Sequence, residues 1–426
     1  MVYNNGMEKK PTFLRSKLSR HILKAELLRY LGPGFLITIG FIDPGNWATN
    51  VAGGSEFNYS LLWVVTLGTF MLIVLQSMSA RLGIITGKSL AKNVKENYPR
   101  WLSWVLGSTI VLACVATDVA ELIGGTVGFH LLFGFPYWLG SLLTIFLEFY
   151  LIFSQKYHSV EKIIIGFLAI ISISYVIELF IVKPDVSQMV YHSIVPTVSG
   201  KVIYVAMGIL GAIVMPHNIY LHSNVIQSRD WSGDYERKKK LIKYEQTDTT
   251  LAMIVGWFVN VSMIAVAAAV FFKNHIFVNS LSQASETLKP LAGPFAQFLF
   301  AMALLFAGIS SSTTSSMAEA NVITGYFGKS EDPRSKFYRI SLIVTSIPAF
   351  FIILFSKNFY NLLIFSQVIL SVQLPFTIVP LILLSASSKI MGRFKLNSLQ
   401  LWMAIAISTV IIVLNIFLLY QTFMGG

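Results

Sequence analysis

Apolar residues in this chain gather into runs of about 20, each closed by charged or turn-forming residues, and repeated runs of that length fit only the hydrocarbon core of a bilayer. Eleven such runs lie at 32–54, 60–80, 102–130, 136–154, 162–182, 202–227, 248–272, 293–325, 338–356, 361–386 and 399–421. Hydrophobic residues make up 55% of the 426, charged residues 12%, and mean hydropathy is +0.68, which excludes an ordinary soluble domain. The expected fold is therefore an all-α polytopic membrane protein with 11 transmembrane helices.

Two of these runs share a motif around a proline, where a continuous helix would need a donor. Asp43-Pro44-Gly45-Asn46 in the first and Met215-Pro216-His217-Asn218 in the sixth both read x-Pro-x-Asn. Proline lacks the backbone N–H and clashes with the carbonyl four residues back, so helices 1 and 6 are expected to be broken. Freed backbone groups at a break cannot face lipid and must line something polar. Asp43, Asn46 and the Met215 sulfur then stand beside freed carbonyls, an arrangement suited to a dehydrated metal cation at mid-membrane depth. Asp43 supplies a hard anionic oxygen, although an aspartate there also suits a helix cap. Asn46 offers a neutral amide oxygen on the same turn. A thioether at Met215 favours Mn²⁺, Fe²⁺, Co²⁺, Zn²⁺ or Cd²⁺ over Mg²⁺ and Ca²⁺.

Superposing Pro44 on Pro216 also aligns Asn46 with Asn218 and Gly40 with Ala212, at an offset of 172 residues, or five spans. An odd number of spans makes the second copy enter from the opposite side, the mark of an inverted repeat. The expected organisation is a basic tail at 1–30, a first repeat of helices 1–5 at 31–200, a second of helices 6–10 at 201–390, and helix 11 with the C-terminus at 391–426. With the N-terminus inside, 27 of the 32 Lys and Arg fall in the tail and the even-numbered loops. This imbalance orients the chain in a cell (plasma) membrane with its N-terminus cytoplasmic and its C-terminus extracellular. It also accounts for the net charge of +12 without a nucleic-acid partner. The segment Lys9 to Arg29 reads either as an amphipathic helix on an anionic inner leaflet or as a solvated tail. No signal peptide is visible. Cys114 is the sole cysteine, so intrachain disulfides and thiolate clusters are excluded. The loops are too short to hold a folded soluble domain, which points to a transporter rather than an enzyme or receptor, and no cofactor is expected.

Charged side chains within spans cost several kcal/mol, of order 2.5–3.5, at the bilayer centre and need partners or a polar cavity. Asp118 and Glu121 share a face of span 3, a spacing suited to a proton relay, with Arg339 in span 9 as a candidate ion-pair partner. Glu148 and Glu319 belong to the same small set. His217 and His222 flank the second break and could carry a coupled proton, or serve as hydrogen-bonded structural residues. In span 10, Gln367 or Gln373 could complete a coordination sphere or bond a neighbouring helix. The run Ser310-Ser311-Ser312-Thr313-Thr314-Ser315-Ser316 reads as close helix packing with back-bonded hydroxyls.

Together these motifs resemble the NRAMP family of proton-coupled divalent metal-ion transporters. The resemblance runs nearly full length, through Gly32-Pro33-Gly34, Asn46-Trp47-Ala48-Thr49, Gln76-Ser77, Ala80-Arg81-Leu82-Gly83, Ala116-Thr117-Asp118 with Ala120-Glu121, Tyr220-Leu221-His222-Ser223 and Gln373-Leu374-Pro375-Phe376. It implies a LeuT-type fold working as a monomer, and import of Mn²⁺ or Fe²⁺ with H⁺ by alternating access, with Cd, Co and Zn as further cargo. It also implies metal ligands at Asp43, Asn46, the Met215 sulfur and the Ala212 carbonyl, joined in some conformations by the Gly40 carbonyl and Gln367. The implied proton route maps onto Asp118, Glu121 and Arg339, with His217 nearby. Two departures stand out: Tyr338-Arg339 where many members have two basic residues, and Ile309 and Glu319 where glutamine is common. A sodium-coupled amino-acid or solute symporter of the same fold, or a metal-gated channel, is the alternative.

Overall fold

The computed structural model describes residues 26, 30–154, 157–197, 202–356 and 358–424. The expected amphipathic segment from Lys9 to Arg29 lies, but for Glu26, outside the described residues. The first apolar run forms two helices, α1 (Pro33–Gly40) and α2 (Pro44–Phe57). Next come α3 (Leu62–Thr86), the short α4 (Leu90–Asn97), α5 (Arg100–Phe133), α6 (Tyr137–Ser154), α7 (Tyr157–Val182) and the short α8 (Val186–Ile194). The sixth run again gives two helices, α9 (Val202–Ile213) and α10 (Pro216–Val225). They are followed by α11 (Tyr235–Val270), α12 (Leu281–Ala292), α13 (Pro294–Phe327), α14 (Lys336–Phe355), α15 (Phe359–Ala386), the single turn α16 (Ser388–Met391) and α17 (Ser398–Met424). Among the described residues nine helical segments are long and apolar enough to cross a membrane, the α9–α10 segment counting as one, and α6 falls just short of that length.

The chain is turned inside out relative to a soluble protein, as a lipid solvent requires. Asp43, Asn46, Glu121, Glu148, His217 and Glu319 are all buried, while Leu112, Phe180 and Phe355 are 69%, 76% and 81% exposed on the lateral surface. The long helices α5 and α13 pack against each other and form the spine of the bundle.

Two features differ from the hydropathy reading. Helix α11 begins at Tyr235, 13 residues ahead of the apolar run at 248, because Asp234 caps it by accepting the Arg237 N–H at 2.9 Å and the basic residues that follow are good helix formers. The short helices α4, α8 and α12 are amphipathic surface elements, each started by a capping side chain, Ser89, Asp185 and Ser280 respectively. They are too short and too polar for a span-length window to register.

The connections sort to two ends. At one, Lys92 pairs with Glu331 at 2.9 Å, Asn224 donates to Glu331 at 2.9 Å, Arg229 pairs with Glu161 at 2.7 Å and reaches the Leu31 carbonyl at 3.4 Å, and Arg393 lies 5.9 Å from the Tyr235 ring centre. At the other, the Asp185 N–H donates to the Tyr59 hydroxyl at 3.1 Å, and the Tyr137 and Phe359 rings meet edge to face at 5.1 Å.

Candidate functional site

Helix α1 stops at Gly40 and α2 starts at Pro44, with Phe41, Ile42 and Asp43 between them. Pro44 has no N–H to give the Gly40 carbonyl, and Pro216 has none for the Ala212 carbonyl, so each proline strips a partner from the preceding helix end. Val214 and Met215 connect α9 to α10 in the same manner. The carbonyl ends of α1 and α9, each carrying partial negative charge, therefore open onto the two breaks.

Asp43 is both cap and candidate ligand. Its Oδ1 accepts the Asn46 N–H at 2.9 Å, and its Oδ2 accepts the Gly45 N–H at 3.0 Å and the Gln367 amide at 3.1 Å. Each oxygen keeps further lone-pair capacity, and the bonds fix where it points. The Gln367 amide lies so close to Gly45 that any side chain there would collide with it, and the Gln367 carbonyl presses on Gly211 of α9. One residue of α15 thus touches both breaks. A second tie is Asn218, whose amide lies against Gly40 and donates to the Met215 sulfur at 3.5 Å. The structure accordingly gathers Gly40, Asp43, Ala212, Met215 and Gln367 into one region without solvent exposure.

Two amide oxygens in this region, Gln367 Oε1 and Asn218 Oδ1, are buried with no donor. Buried acceptors without donors are costly in a low-dielectric interior, and a cation satisfies them directly. Asn46 is differently engaged from the sequence expectation. Its amide donates to the Phe41 carbonyl and to Asn260 Oδ1, the latter at 2.5 Å, while its oxygen accepts the Asn50 amide at 3.1 Å. Among the described residues no group of three or more His, Cys, Asp or Glu converges on one point, so an ion here would be held by one carboxylate with amide, carbonyl and thioether groups.

The other acidic residues form a second region between α5, α6, α13 and α14. Asp118 accepts the Ser346 hydroxyl at 3.2 Å and lies beside Glu319 and Thr345. Glu121 accepts the Ser311 hydroxyl and Glu148 the Ser316 hydroxyl, the latter at 2.5 Å. The Ser/Thr run is back-bonded as expected, but Ser311 and Ser316 also serve these carboxylates. His217 Nδ1 lies 3.3 Å from the hydroxyl of Thr117, which precedes Asp118 in the chain.

Two sequence expectations need correction, and one open alternative, at Gln373, is decided. Arg339 does not face Asp118 or Glu121: it is exposed, with its guanidinium 5.1 Å from the Phe153 ring centre, while Tyr338, Ser341 and Leu342 take the inward face of α14. His222 stands apart from the acidic region, with Nδ1 3.0 Å from Gln76 Oε1 and Nε2 3.5 Å from Glu245. Gln373 is a helix-packing residue, donating to Thr109 at 3.4 Å and accepting from Thr377 at 2.9 Å. Sequence reasoning missed Asn260 and Asn50. Their signal was present, since a polar amide inside an apolar run needs a partner, but the partner was not readable.

The sequence pattern of the family described as "Natural resistance-associated macrophage protein-like" matches residues 34–421. The Divalent metal cation transporter MntH of Caldanaerobacter subterraneus subsp. tengcongensis is 40% identical over 414 residues, covering 96% of this chain and 97% of that one. A mutant of the Eremococcus coleocola manganese transporter superposes with a TM-score of 0.85 at 26% identity, covering 95% of this chain and 89% of that one. The nucleobase-cation-symport-1 family transporter Mhp1, in a closed conformation, gives a TM-score of 0.62 at 16% identity over 87% of this chain and 81% of its own, a likeness of fold alone.

Proposed function

The chain belongs to the NRAMP family of secondary transporters for divalent transition-metal ions, and from that premise we propose that it imports Mn²⁺ or Fe²⁺ with protons through the site between its two helix breaks. The observation that carries this reading is the pair of donorless amide oxygens, Gln367 Oε1 and Asn218 Oδ1, buried where Asp43 and Met215 meet the carbonyl ends of α1 and α9. Asp43 offsets the charge of an ion that has shed water, and the Gly40 and Ala212 carbonyls replace part of its hydration. The Met215 thioether disfavours Ca²⁺ and Mg²⁺. Asn46 joins the set once its oxygen exchanges the Asn50 amide for the metal.

Proton movement is assigned to Asp118, Glu121 and His217, with Glu319 in place of the outward-facing Arg339. Support for eleven crossings in a 5+5+1 inverted arrangement comes from the two broken segments and from the sorting of the loops. Alternating access follows from the site's burial, since the ion reaches water only when helices around it move.

Asp43→Ala should abolish Mn²⁺ uptake in proteoliposomes while the purified variant keeps its melting temperature within a few degrees. Undiminished uptake would remove Asp43 from the site and overturn the reading.

A further inference from the structure

A groove of about 790 Å³ runs between α5 and α13 on the lateral surface, away from the ion site. Its walls are Trp104 and Leu112 from α5 and Ile323 and Phe327 from α13, with the Trp104 and Phe327 rings edge to face at 5.3 Å. Its floor is the Tyr326 ring, which lies against Gly107 and is held by a 2.8 Å hydrogen bond between the Tyr326 and Tyr220 hydroxyls. Trp104, Leu112 and Phe327 are 51%, 69% and 45% exposed, so the groove opens sideways, where the bilayer lies.

Lys95 and Arg100 stand at its mouth. Nearby Lys88 and Lys92 are each paired with a carboxylate, Glu96 at 2.5 Å and Glu331 at 2.9 Å. Neither Lys95 nor Arg100 has a carboxylate within ion-pair distance among the described residues. Lys95 carries its ammonium beside Gly328, the cap of α13, where the helix's partial negative end favours a cation. Two unneutralised cations therefore sit over an apolar trough. From Arg100 to Leu112 a helix rises about 18 Å, close to the depth of one leaflet's hydrocarbon.

We propose that this groove binds one anionic glycerophospholipid, its phosphate on Lys95 and Arg100 and an acyl chain along the Trp104–Leu112 wall. Basic pockets between membrane helices recognise acidic headgroups in this way. A zwitterionic lipid brings a cationic amine towards the same two side chains and is disfavoured. The inner leaflet as its source rests on the proposed orientation, whereas the groove and its charge do not depend on the ion site.

The test is native mass spectrometry of the purified full chain exchanged into equimolar phosphatidylglycerol and phosphatidylcholine. Wild type should retain phosphatidylglycerol with a preference of about thirtyfold. The double variant Lys95→Gln/Arg100→Gln changes only exposed side chains and should lose the preference while binding phosphatidylcholine unchanged. Ser108→Trp, which fills the trough from an exposed position, should displace both lipids. Equal retention of the two lipids by wild type, or an intact preference in the double variant, would overturn the proposal. So would a mass of two chains that the Ser108→Trp variant dissociates, because a second copy would then be the occupant. Lipid retention is read without transport, so failure here leaves the metal-ion reading standing.

Discussion

Met215 accepts a hydrogen bond from Asn218 at 3.5 Å and is fully buried at the edge of the hydrophobic core, so packing and the proposed ligand role make different predictions for its sulfur. A thioether surrounded only by aliphatic side chains contributes packing, whereas one that faces a carboxylate and unpaired amide oxygens contributes softness to an otherwise hard donor set. Met215→Ala should therefore reduce Cd²⁺ affinity by on the order of tenfold, the equivalent of about 1.4 kcal/mol. Mn²⁺ should lose less, and discrimination against Ca²⁺ should relax. Isothermal titration with the three ions separates these outcomes, and an equal loss for all three would mean that the sulfur only fills space. Glu319 poses the converse case, a buried carboxylate beside Asp118 and Thr345. Two carboxylates so placed in a low dielectric cannot both stay ionised at ordinary cost, so a proton shared between them is the economical state. In Glu319→Gln the amide can donate permanently to Asp118, which removes the movable proton and keeps the packing. Mn²⁺ binding should survive while the stimulation of uptake by external acid falls several-fold. Uptake measured from pH 5.5 to 7.5 checks this, and an unchanged pH profile would take Glu319 out of the route.

Helix α1 has only eight residues and cannot hold its place by its own hydrogen bonds, so its position depends on α11. Asp248 accepts the Gly32 N–H at 3.0 Å and the Gly34 N–H at 2.7 Å, capping α1 from another helix, and Arg229 holds the Leu31 carbonyl alongside. Such a latch can be released without unfolding either helix, as a gate at one end of the site requires. Asp248→Ala should cost about 1 kcal/mol of local stability, roughly a fivefold shift in the opening equilibrium. Amide hydrogen exchange over 34–40 should speed up by that factor while α5 and α13 stay protected, and unaltered exchange there would show that α1 is held by packing alone. The breaks at Pro44 and Pro216 were legible in the sequence through their matched x-Pro-x-Asn motifs and not through proline alone, since Pro348, Pro375 and Pro380 lie within the unbroken α14 and α15. The Asp248 latch was not, since 214 residues separate it from Gly34. Arg339 was misread for a related reason: hydropathy locates a span along the chain but is silent on rotation about its axis, and α14 turns Tyr338 and Leu342 inward instead. Met215 and Asp43, as proposed ligands, are less exposed to that ambiguity, because residues at a break face whatever the break lines.

At the scale of the whole molecule, the contacts between loops carry topological information that no single helix holds. Lys92, Glu161, Asn224, Arg229, Glu331 and Arg393 lie at or next to the even-numbered connections, and their bonds join those connections to one another and to Leu31 at one end. Tyr59, Tyr137, Asp185 and Phe359 come from odd-numbered connections, where Asp185 bonds Tyr59 and Tyr137 meets Phe359. That sorting supports the proposed crossing by every counted run, including the first and fourth, which are too short or too broken to qualify by length alone. The same even-numbered end carries most of the basic residues, which supports its proposed cytoplasmic placement. In the proposed topology an odd number of crossings sends the C-terminus to the opposite face. Green fluorescent protein fused after Gly426 should stay dark in cells, and alkaline phosphatase fused there should be active, whereas the same reporters placed in the 387–397 connection should give the reverse. A fluorescent C-terminal fusion would mean an even number of crossings. It would also remove the inverted relation between the two breaks, on which the pairing of Asp43 with Met215 as partners in alternating access depends.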